Sequence, residues 1–359
     1  MVDAGKVADR SQLGLDLGLP DLPTPPLAAA SVKPKPKPKR SSAAPSQSHN
    51  LSAPPDALTI EEMAQQVEAH PDYQVARRLV PSVSFAGQPQ GPVKRVAVLD
   101  TETTGLQHHS EKIIELALVV VDIDTVTGLP VGDVVVYDGF EDPGRTISPE
   151  IQTLTGISND MVQGKSLDLA EINQVMAGVD WVVAHNAAFD RPFVEGRLSF
   201  FADLPWACSF ADIDWRQHGQ SSAKLEALAA SCGVFYDAHR ADMDCHALMA
   251  VLSRVVGDTQ QTGWQHLLHA LDAPHYSLQA TGAPFDAKDT LKARGYRWDS
   301  QARVWHTKLR DTDALEAECA WLATQVYANP RAQVTIVESV AVNRYAGREG
   351  KTSVRPVAP

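Results

Sequence analysis

Residues Val96–Leu106, which read Val-Ala-Val-Leu-Asp-Thr-Glu-Thr-Thr-Gly-Leu, decide the fold of the central part of the chain. Four apolar residues suited to a buried strand run directly into Asp100, and Glu102 follows two positions later. Side chains alternate between the two faces of an extended chain, so these two carboxylates share one face. At the end of a buried strand they repel each other and lose hydration. A divalent cation such as Mg²⁺ or Mn²⁺, which prefers oxygen ligands, relieves both penalties, so the stretch predicts a metal site.

The composition is that of a globular protein with polar ends. The chain has 359 residues, of which 44% are apolar, and this length allows two domains with tails. The formal net charge of −12 is concentrated in residues 93–256, whereas residues 257–359 are slightly basic. An acidic segment repels phosphate unless metal ions screen it or a basic neighbour supplies attraction.

The sequence argues against a membrane protein and against a secreted one. It contains no run of about 18 apolar residues, and residues 1–10 carry acids without an apolar segment, so no secretory leader is predicted. The absence of a Cys-x-x-Cys pair argues against a zinc ribbon or a disulfide framework. We expect a cytoplasmic protein with reduced, mostly buried thiols at Cys208, Cys232, Cys245 and Cys319.

The N-terminal part is predicted to be a tail and a short lead-in. Residues 1–56 are rich in Pro, Ala, Ser and Lys. This composition is typical of disorder, because such a segment buries too little apolar area to fold. Residues 57–92 are predicted to form a helical lead-in and a linker. Its first helix begins at Thr59-Ile-Glu-Glu62, which has the spacing of a capping box, and a second is predicted over Asp72–Leu79.

Residues 93–256 are predicted to form an α/β domain. Three strands in a hairpin-like run, followed by alternating strands and helices, indicate a mixed sheet with helices on both faces. The predicted strands are Arg95–Asp100, Ile113–Asp122, Val134–Tyr137, Trp181–Ala184 and Ala207–Ser209. The predicted helices are Pro149–Leu154, Ser158–Gln163, Leu167–Ala177, Phe189–Leu198, Ser222–Cys232 and Ala241–Val256.

Two further acids, Asp190 and Asp244, each occur near the start of a predicted helix. Taken singly, both are also explained as favourable charges at a helix N-terminus. His239, five residues before Asp244, is also explained by capping or by pairing with a neighbouring acid. Because these positions adjoin apolar sequence near the ends of predicted elements, they could converge with the first two carboxylates at one edge of the sheet.

The order of these motifs resembles that of the DEDDh exonucleases. These are 3′–5′ exonucleases related to the polymerase proofreading subunit, and they have a ribonuclease H-like fold. Each motif alone is a weak signal, but the resemblance extends over roughly residues 94–256 with all of them in order. The matching segments are Asp100-x-Glu102, Ile113-Ile-Glu115-Leu, Leu154-Thr-Gly156-Ile157, His185-Asn186-x-x-Phe189-Asp190 and His239-x-x-x-x-Asp244.

The resemblance implies a role for each matching residue. Four carboxylates would bind two divalent metal ions, Mg²⁺ or Mn²⁺, with His239 as general base; the four are Asp100, Glu102, Asp190 and Asp244. Two metal ions can stabilise the attacking and the leaving oxygens when a phosphodiester is hydrolysed. An imidazole can accept a proton near neutral pH. Substrate contacts are implied at Thr101, Thr103, Leu106, Glu150, Thr155 and Asn186. Thr155 departs from the pattern, since several relatives have His there. We interpret His185 as a packed or hydrogen-bonding histidine and Glu115 as a structural partner.

The C-terminal part is predicted to be a linker (257–274), a small α+β accessory domain (275–345) and a disordered tail (346–359). A helix ended by Gly295 is followed by a hairpin, and Gln333–Val342 is a later strand. Residues 281–310 carry seven Lys and Arg against three Asp, interleaved with aromatics, as in single-strand binding surfaces. The predicted nucleic-acid contacts are Lys288, Lys292, Arg294, Arg297, Trp298 and Trp305. The alternative is that both tryptophans form the core of a tiny domain.

Together these features predict a metal-dependent 3′–5′ exonuclease acting on single-stranded ends, with DNA favoured. An exoribonuclease or an oligoribonucleotide-trimming enzyme is the first alternative, because no residue visibly reads a 2′-hydroxyl. A non-catalytic nucleic-acid-binding protein is the second; it would be marked by loss of a carboxylate or of the histidine, and neither is lost. A polymerase or a repair complex is a further partner consistent with the resemblance, in DNA replication or DNA repair.

Overall fold

This computed structural model describes residues 58–357 apart from 328, 330 and 349. The tail predicted over residues 1–56 lies outside the described residues. The chain separates after Tyr73 into two units. In the first unit, helix α1 (Ile60–Glu68) begins after Thr59, which exchanges hydrogen bonds with Glu62 as the predicted capping box. None of the described helices is both long enough and apolar enough to span a membrane.

The second unit alternates strands and helices through most of its length. Its strands are β1 (Arg77–Arg78), β2 (Ser84–Phe85), β3 (Val93–Thr103), β4 (Ile113–Asp124), β5 (Leu129–Phe140), β6 (Trp181–Ala184), β7 (Trp206–Cys208), β8 (Val234–Phe235), β9 (His275–Ala280), β10 (Arg297–Asp299), β11 (Val304–Leu309), β12 (Gln333–Ser339) and β13 (Lys351–Pro356). Its helices are α2 (Pro149–Thr155), α3 (Asn159–Val162), α4 (Leu169–Val175), α5 (Ala187–Arg197), α6 (Ser209–Asp212), α7 (Leu225–Ser231), α8 (Ala241–Leu252), α9 (Gly263–Asp272), α10 (Lys288–Ala293) and α11 (Thr312–Gln325).

A mixed sheet with the order β2-β5-β4-β3-β6-β7 forms the larger part of this unit. β3 pairs antiparallel with β4 and parallel with β6, so the hairpin half and the parallel half of the sheet meet at this strand. Alternate residues of β3 enter two cores. Val96 and Val98 pack on the side of α7 and α8, whereas Ala97 and Leu99 pack on the side of α4 and α5. The predicted α/β fold with helices on both faces is confirmed.

A second, antiparallel sheet has the order β10-β11-β9-β12-β13. The helices α10 and α11 contribute Leu291 and Leu322 to its core, where they meet Leu278 of β9 and Ile336 of β12. The helix ended before Gly295 and the hairpin of β10 and β11 agree with the sequence prediction. The small α+β architecture predicted for this region is therefore present.

Residues 340–348, here termed the connecting segment, link β12 to β13 of the second sheet and contact the first sheet and its helices. Arg191 of α5 is fully buried and donates hydrogen bonds to the carbonyls of Val342 and Arg344, both at 2.6 Å. Arg344 is 3% exposed and donates to the carbonyl of Ala270 at 2.7 Å. The backbone N–H of Trp206 donates to the carbonyl of Ala341 at 2.9 Å. The connecting segment is thus hydrogen-bonded to the helix that carries Asp190, with Ala341 and Arg344 buried.

Three sequence predictions are wrong in their local structure. Asp72–Leu79 is not a helix; Arg77 and Arg78 form β1, which pairs in parallel with β8 at Val234 and Phe235. Residues 257–274, predicted as a linker, contain a helix that was not predicted, since α9 starts with a Thr262 capping box and buries Trp264. Residues 346–359 are not a disordered tail throughout, because β13 pairs with β12. β1 and β13 depend on partners distant in sequence, which local patterns do not reveal.

The four cysteines differ in how deeply they are buried. All four are free, with Cys208, Cys245 and Cys319 buried and Cys232 partly buried. Burial raises the pKa of Cys208 to about 12, so its thiol is not a reactive nucleophile at neutral pH.

Candidate active site

The C-terminal end of β3 directs its polar side chains to both faces of the sheet. Asp100 and Glu102 continue the face of Val96 and Val98, which packs on α8. Thr101 continues the opposite face, which packs on α5. Because the side chains alternate along a strand, one stretch of three residues can reach acids carried by two helices.

On the α8 face, Asp100 and Glu102 meet Asp244. One carboxylate oxygen from each of the three lies within 4.8 Å of the others, and Glu102 is 1% exposed. Three carboxylates so close together repel one another unless a cation lies among them. Their hard oxygen donors are those that Mg²⁺ and Mn²⁺ prefer, so the residues present fit a divalent metal ion.

On the α5 face, Thr101 holds Asp190. The backbone N–H of Thr101 donates to Asp190 Oδ1 at 3.2 Å, and its hydroxyl donates to the same oxygen at 2.8 Å. Asp190 is 2% exposed. The fourth predicted carboxylate is therefore fixed to the residue between Asp100 and Glu102, which brings all four acids to the same end of β3.

Asp244 is fixed by two donors that precede it in the chain. The hydroxyl of Tyr236 donates to Asp244 Oδ1 at 2.9 Å, and the backbone N–H of His239 donates to Oδ2 at 2.9 Å. His239 has φ = +67°, a left-handed conformation that turns the chain sharply before α8. The predicted general base thus lies at the entrance of the helix that carries Asp244.

A buried ion pair sets the start of α8. Glu115 on β4 is fully buried and accepts from Arg240 at 2.9 Å and from the backbone N–H of Ala241 at 3.1 Å. Glu115 also lies opposite Glu102 in the β3–β4 register. These bonds tie the first turn of α8 to the sheet, in agreement with a structural role for Glu115.

Comparison with known proteins identifies the domain. Residues 97–252 match the family model described as "Exonuclease" (RNase_T). They form an exonuclease domain. The matched segment contains the three clustered carboxylates as well as Asp190 and His239. The family agrees with the predicted enzyme class, a nuclease.

Relatives of the exonuclease domain include a much longer protein. The DNA polymerase III PolC-type protein of Staphylococcus aureus is 31% identical over 200 residues, which cover 50% of this chain and 13% of that protein. Among solved structures, Exonuclease X in complex with 5′ overhanging duplex DNA is 27% identical, with a TM-score of 0.36, covering 48% of this chain and 97% of the other. The nuclease domain of 3′hExo, a DEDDh family member bound to rAMP, is 18% identical, with a TM-score of 0.37, covering 47% and 94%.

The residues predicted to contact substrate occupy different environments in the exonuclease domain. Leu106 is 39% exposed just beyond β3, a position that leaves an apolar side chain open to a ligand. The hydroxyl of Thr103 donates to the carbonyl of Gly105 at 2.7 Å, which shapes the turn that presents Leu106. Asn186 has φ = +73° at the start of α5, and Glu150 is exposed in the first turn of α2.

Thr155 does not have the environment of a substrate contact. It is 3% exposed, and its hydroxyl donates to the carbonyl of Ile151 at 2.9 Å and accepts from Ile157 at 3.1 Å. These bonds complete the C-terminal end of α2. The position therefore serves the local backbone, and we do not retain it among the substrate residues.

His185 has the packed, hydrogen-bonded environment that the sequence suggested. Its Nδ1 lies 2.8 Å from Ser209 Oγ, and its ring meets Phe210 edge-on. Burial lowers the pKa of His185 to about 4, so the ring is neutral at physiological pH. It is a structural partner of α6.

The predicted contacts on the C-terminal sheet divide into two groups. Trp298 is 51% exposed, whereas Trp305, its cross-strand partner at a ring distance of 5.6 Å, packs partly into the core. The expectation that both tryptophans are core therefore holds for Trp305 alone. Arg294 is occupied by an ion pair with Glu318 at 3.1 Å. The other basic candidates, Lys288, Lys292 and Arg297, are on the exposed surface.

Sequence reasoning missed Tyr236, Arg240 and the connecting segment. Tyr236 lies three residues before His239, and Arg240 follows that histidine directly, so closeness to a motif was the available signal. Nothing in the sequence marks Arg344 as a buried residue. Its partners are carbonyl groups, which every residue carries.

Proposed function

We propose that the protein is a metal-dependent 3′–5′ exonuclease that removes nucleotides from single-stranded ends, with DNA favoured. The supporting observation is the approach of Asp100, Glu102 and Asp244 to within 4.8 Å of one another in a domain of the exonuclease family. Asp190 and His239 adjoin this cluster through Thr101 and Asp244. All five residues of the DEDDh motif are present.

Each group of the proposed active site has a separate task. Asp100, Glu102, Asp190 and Asp244 would hold two divalent ions, which when bound stabilise negative charge on the attacking and leaving oxygens. His239 would accept the proton of the attacking water. Leu106, exposed at the end of the turn after β3, would pack against the terminal base. Asn186 and Glu150 are proposed to align the last nucleotide. Thr101 and Thr103 are buried, and they would act on substrate through Asp190 and through the turn at Gly105.

The C-terminal sheet is proposed to hold the strand upstream of its end. Trp298 offers an exposed aromatic face on which a base can stack, and Arg297 precedes it on the same strand. Lys288 lies 4.9 Å from the centre of the Phe285 ring, and Phe285 is 80% exposed. Cations beside exposed aromatic rings attract a nucleic-acid backbone and offset repulsion by the acidic exonuclease domain.

The PolC-type relative supports DNA as substrate and a link to replication. Its name is that of a DNA polymerase, and 31% identity over 200 residues relates it to half of this chain. We propose that the exonuclease acts beside a polymerase or a repair complex, as a cytoplasmic enzyme. The nuclease activity can be tested without such a partner, since an exonuclease can be active on its own.

An assay with end-labelled strands tests the activity. Single-stranded DNA and RNA, labelled at either end, would be incubated with Mg²⁺, Mn²⁺ or a chelator. We expect 5′-labelled DNA to shorten progressively, 3′-labelled DNA to release labelled mononucleotide at once, and chelator to abolish both. Asp100→Asn should lower the rate by more than about 100-fold, because a metal-binding oxygen is lost.

Asp160→Asn is the matched control for that substitution, since Asp160 is an exposed acid of the same domain. It should digest DNA at the rate of the unmodified protein. Faster digestion of RNA would assign the protein to the exoribonuclease alternative. Full activity of Asp100→Asn would contradict the proposed site, and no cleavage of any strand by the unmodified protein would favour the non-catalytic alternative.

The accessory surface is tested by Trp298→Ala. Loss of one stacking platform should weaken binding of a single strand about tenfold, since one stacked base contributes about 1–3 kcal/mol. The rate on a very short oligonucleotide that does not reach the C-terminal sheet should stay unchanged. Fluorescence anisotropy measures the binding, and equal affinity of the variant and the unmodified protein would remove Trp298 from the surface.

A further inference from the structure

Tyr236 contacts the candidate metal site without belonging to the motif that defines it. Its hydroxyl lies 2.9 Å from Asp244 Oδ1, while Oδ2 of the same carboxylate accepts the backbone N–H of His239 at 2.9 Å. A phenol is protonated at neutral pH, so the hydroxyl is the donor. Two donors, one at each oxygen, define the rotation of the carboxylate about its Cβ–Cγ bond.

The loop that carries Tyr236 is itself anchored by β1. The backbone N–H of Arg77 donates to the carbonyl of Gly233 at 2.9 Å, and that of Leu79 donates to Phe235 at 2.8 Å. The side chain of Arg78 forms an ion pair with Asp237 at 2.9 Å and covers the ring of Phe235. Tyr236 is thus flanked in the chain by Phe235 and Asp237. Both are held by β1 and the residue after it, which lie outside residues 97–252 of the exonuclease domain.

The ring of Tyr236 and its hydroxyl have separable roles. The ring packs partly buried against the core that includes Ala241 and Cys245 of α8. The hydroxyl extends to Asp244. Replacement by phenylalanine keeps the apolar packing and removes the donor, so its effect reports the hydrogen bond rather than the fold.

We propose that Tyr236 is a positioning residue that orients the Asp244 carboxylate toward a divalent cation. The inference rests on the metal site of the proposed function. Each carboxylate oxygen has two acceptor directions, so Oδ1 can accept from Tyr236 and still face a cation. Hydrogen-bonded partners of metal ligands typically change metal affinity or activity by about 10–100-fold when they are removed.

Calorimetric titration with Mn²⁺ in the absence of nucleic acid tests the proposal. The full chain and its Tyr236→Phe variant would be compared, with melting temperature as a check of the fold. We expect the dissociation constant for Mn²⁺ to rise about tenfold in the variant. In cleavage assays, the Mn²⁺ concentration for half-maximal rate should rise by a similar factor, and the rate at saturating Mn²⁺ should approach that of the unmodified protein.

Tyr327→Phe is the matched control. Its hydroxyl donates to the carbonyl of Thr281 at 2.8 Å in the C-terminal sheet, so Mn²⁺ binding should not change. A dissociation constant for Tyr236→Phe within twofold of the unmodified protein would overturn the proposal, as would no Mn²⁺ binding by the unmodified protein. If the protein binds Mn²⁺ but cleaves no strand, the proposed function fails while the calorimetric comparison still decides the role of Tyr236.

Discussion

At the scale of single residues, the backbone and the ring of His239 have separate roles. The backbone holds Asp244, and the ring is the proposed general base. The N–H of His239 donates to Asp244, and φ = +67° turns the chain so that this bond can form. Any residue retains that N–H except proline. The proton-accepting role of the ring can therefore be removed without removing the bond that fixes Asp244.

His239→Ala should lower the turnover rate about 10²–10⁴-fold at neutral pH, the usual contribution of a positioned general base. The dissociation constant for Mn²⁺ should change little, because the carboxylates and the backbone donor remain. Single-turnover cleavage and calorimetry measure the two quantities. His109→Ala, in an exposed loop, is the control and should cleave normally. An unchanged turnover rate for His239→Ala would exclude the ring as the base.

The residue roles were predictable to different degrees. The acids of β3 were predictable because alternation on an extended chain places Asp100 and Glu102 on one face. Motif order then added Asp190, His239 and Asp244. The pairing of Thr101 with Asp190 required coordinates, because the sequence alone does not show how closely α5 approaches β3. Thr155 shows the opposite case. It stands at a position that matches the motif, but its hydroxyl is hydrogen-bonded within the C-terminal end of its own helix.

At the scale of elements, the geometry of the site depends on the junction between β4 and α8. Glu115 is fully buried and accepts from Arg240 and from the first N–H of α8. This junction fixes the direction of the helix whose first turns carry Asp244. Its loss should affect both stability and metal binding.

Glu115→Gln should lower the free energy of unfolding by about 1–3 kcal/mol, because a charged hydrogen bond at a buried site is weakened. Mn²⁺ affinity should fall as well, since α8 loses its anchor. Glu316→Gln is the control: its pair with Arg355 is solvent-exposed, so its loss should cost less than about 1 kcal/mol. Denaturant titration measures both variants. Equal effects of the two substitutions would contradict the assigned role of Glu115.

Elements with internal periodicity were predicted well, and those that depend on distant partners were not. β3, β4, α5 and α8 have apolar patterns of their own. β1 is two residues long and exists through its pairing with β8, more than 150 positions away. α9 has a local signal, because Thr262 is followed three residues later by Gln265 as in a capping box.

At the scale of the whole molecule, the connecting segment makes the C-terminal sheet part of the exonuclease scaffold. Arg344 donates to the carbonyl of Ala270 at 2.7 Å and to His275 Nε2 at 3.0 Å. Burial, followed by the charge of Arg344, lowers the pKa of His275 to about 3. The histidine is therefore neutral and accepts from Arg344. β13 could not be recognised from sequence, because it is an exposed strand at the edge of its sheet.

Arg344→Met should lower the free energy of unfolding by about 1–3 kcal/mol near neutral pH, because buried carbonyl groups lose their donor. His275 has a lower pKa in the folded than in the unfolded state, so its contribution is full above about pH 6.5 and is lost as the pH falls toward 3. Without the charge of Arg344, the pKa of His275 is lowered less, so less stability should be lost at low pH. The deficit of the variant should therefore shrink between about pH 7.5 and about pH 4.5. Urea titrations at both values test this, and a deficit that grows at low pH would contradict it.

The carboxylates at the end of β3 are proposed to bind divalent metal ions. Anomalous diffraction from crystals of the full chain soaked with Mn²⁺ tests it most directly. We expect at least one strong anomalous peak about 2–2.5 Å from oxygens of Asp100, Glu102 and Asp244. Peaks elsewhere in the crystal, with none at this cluster at saturating Mn²⁺, would contradict it.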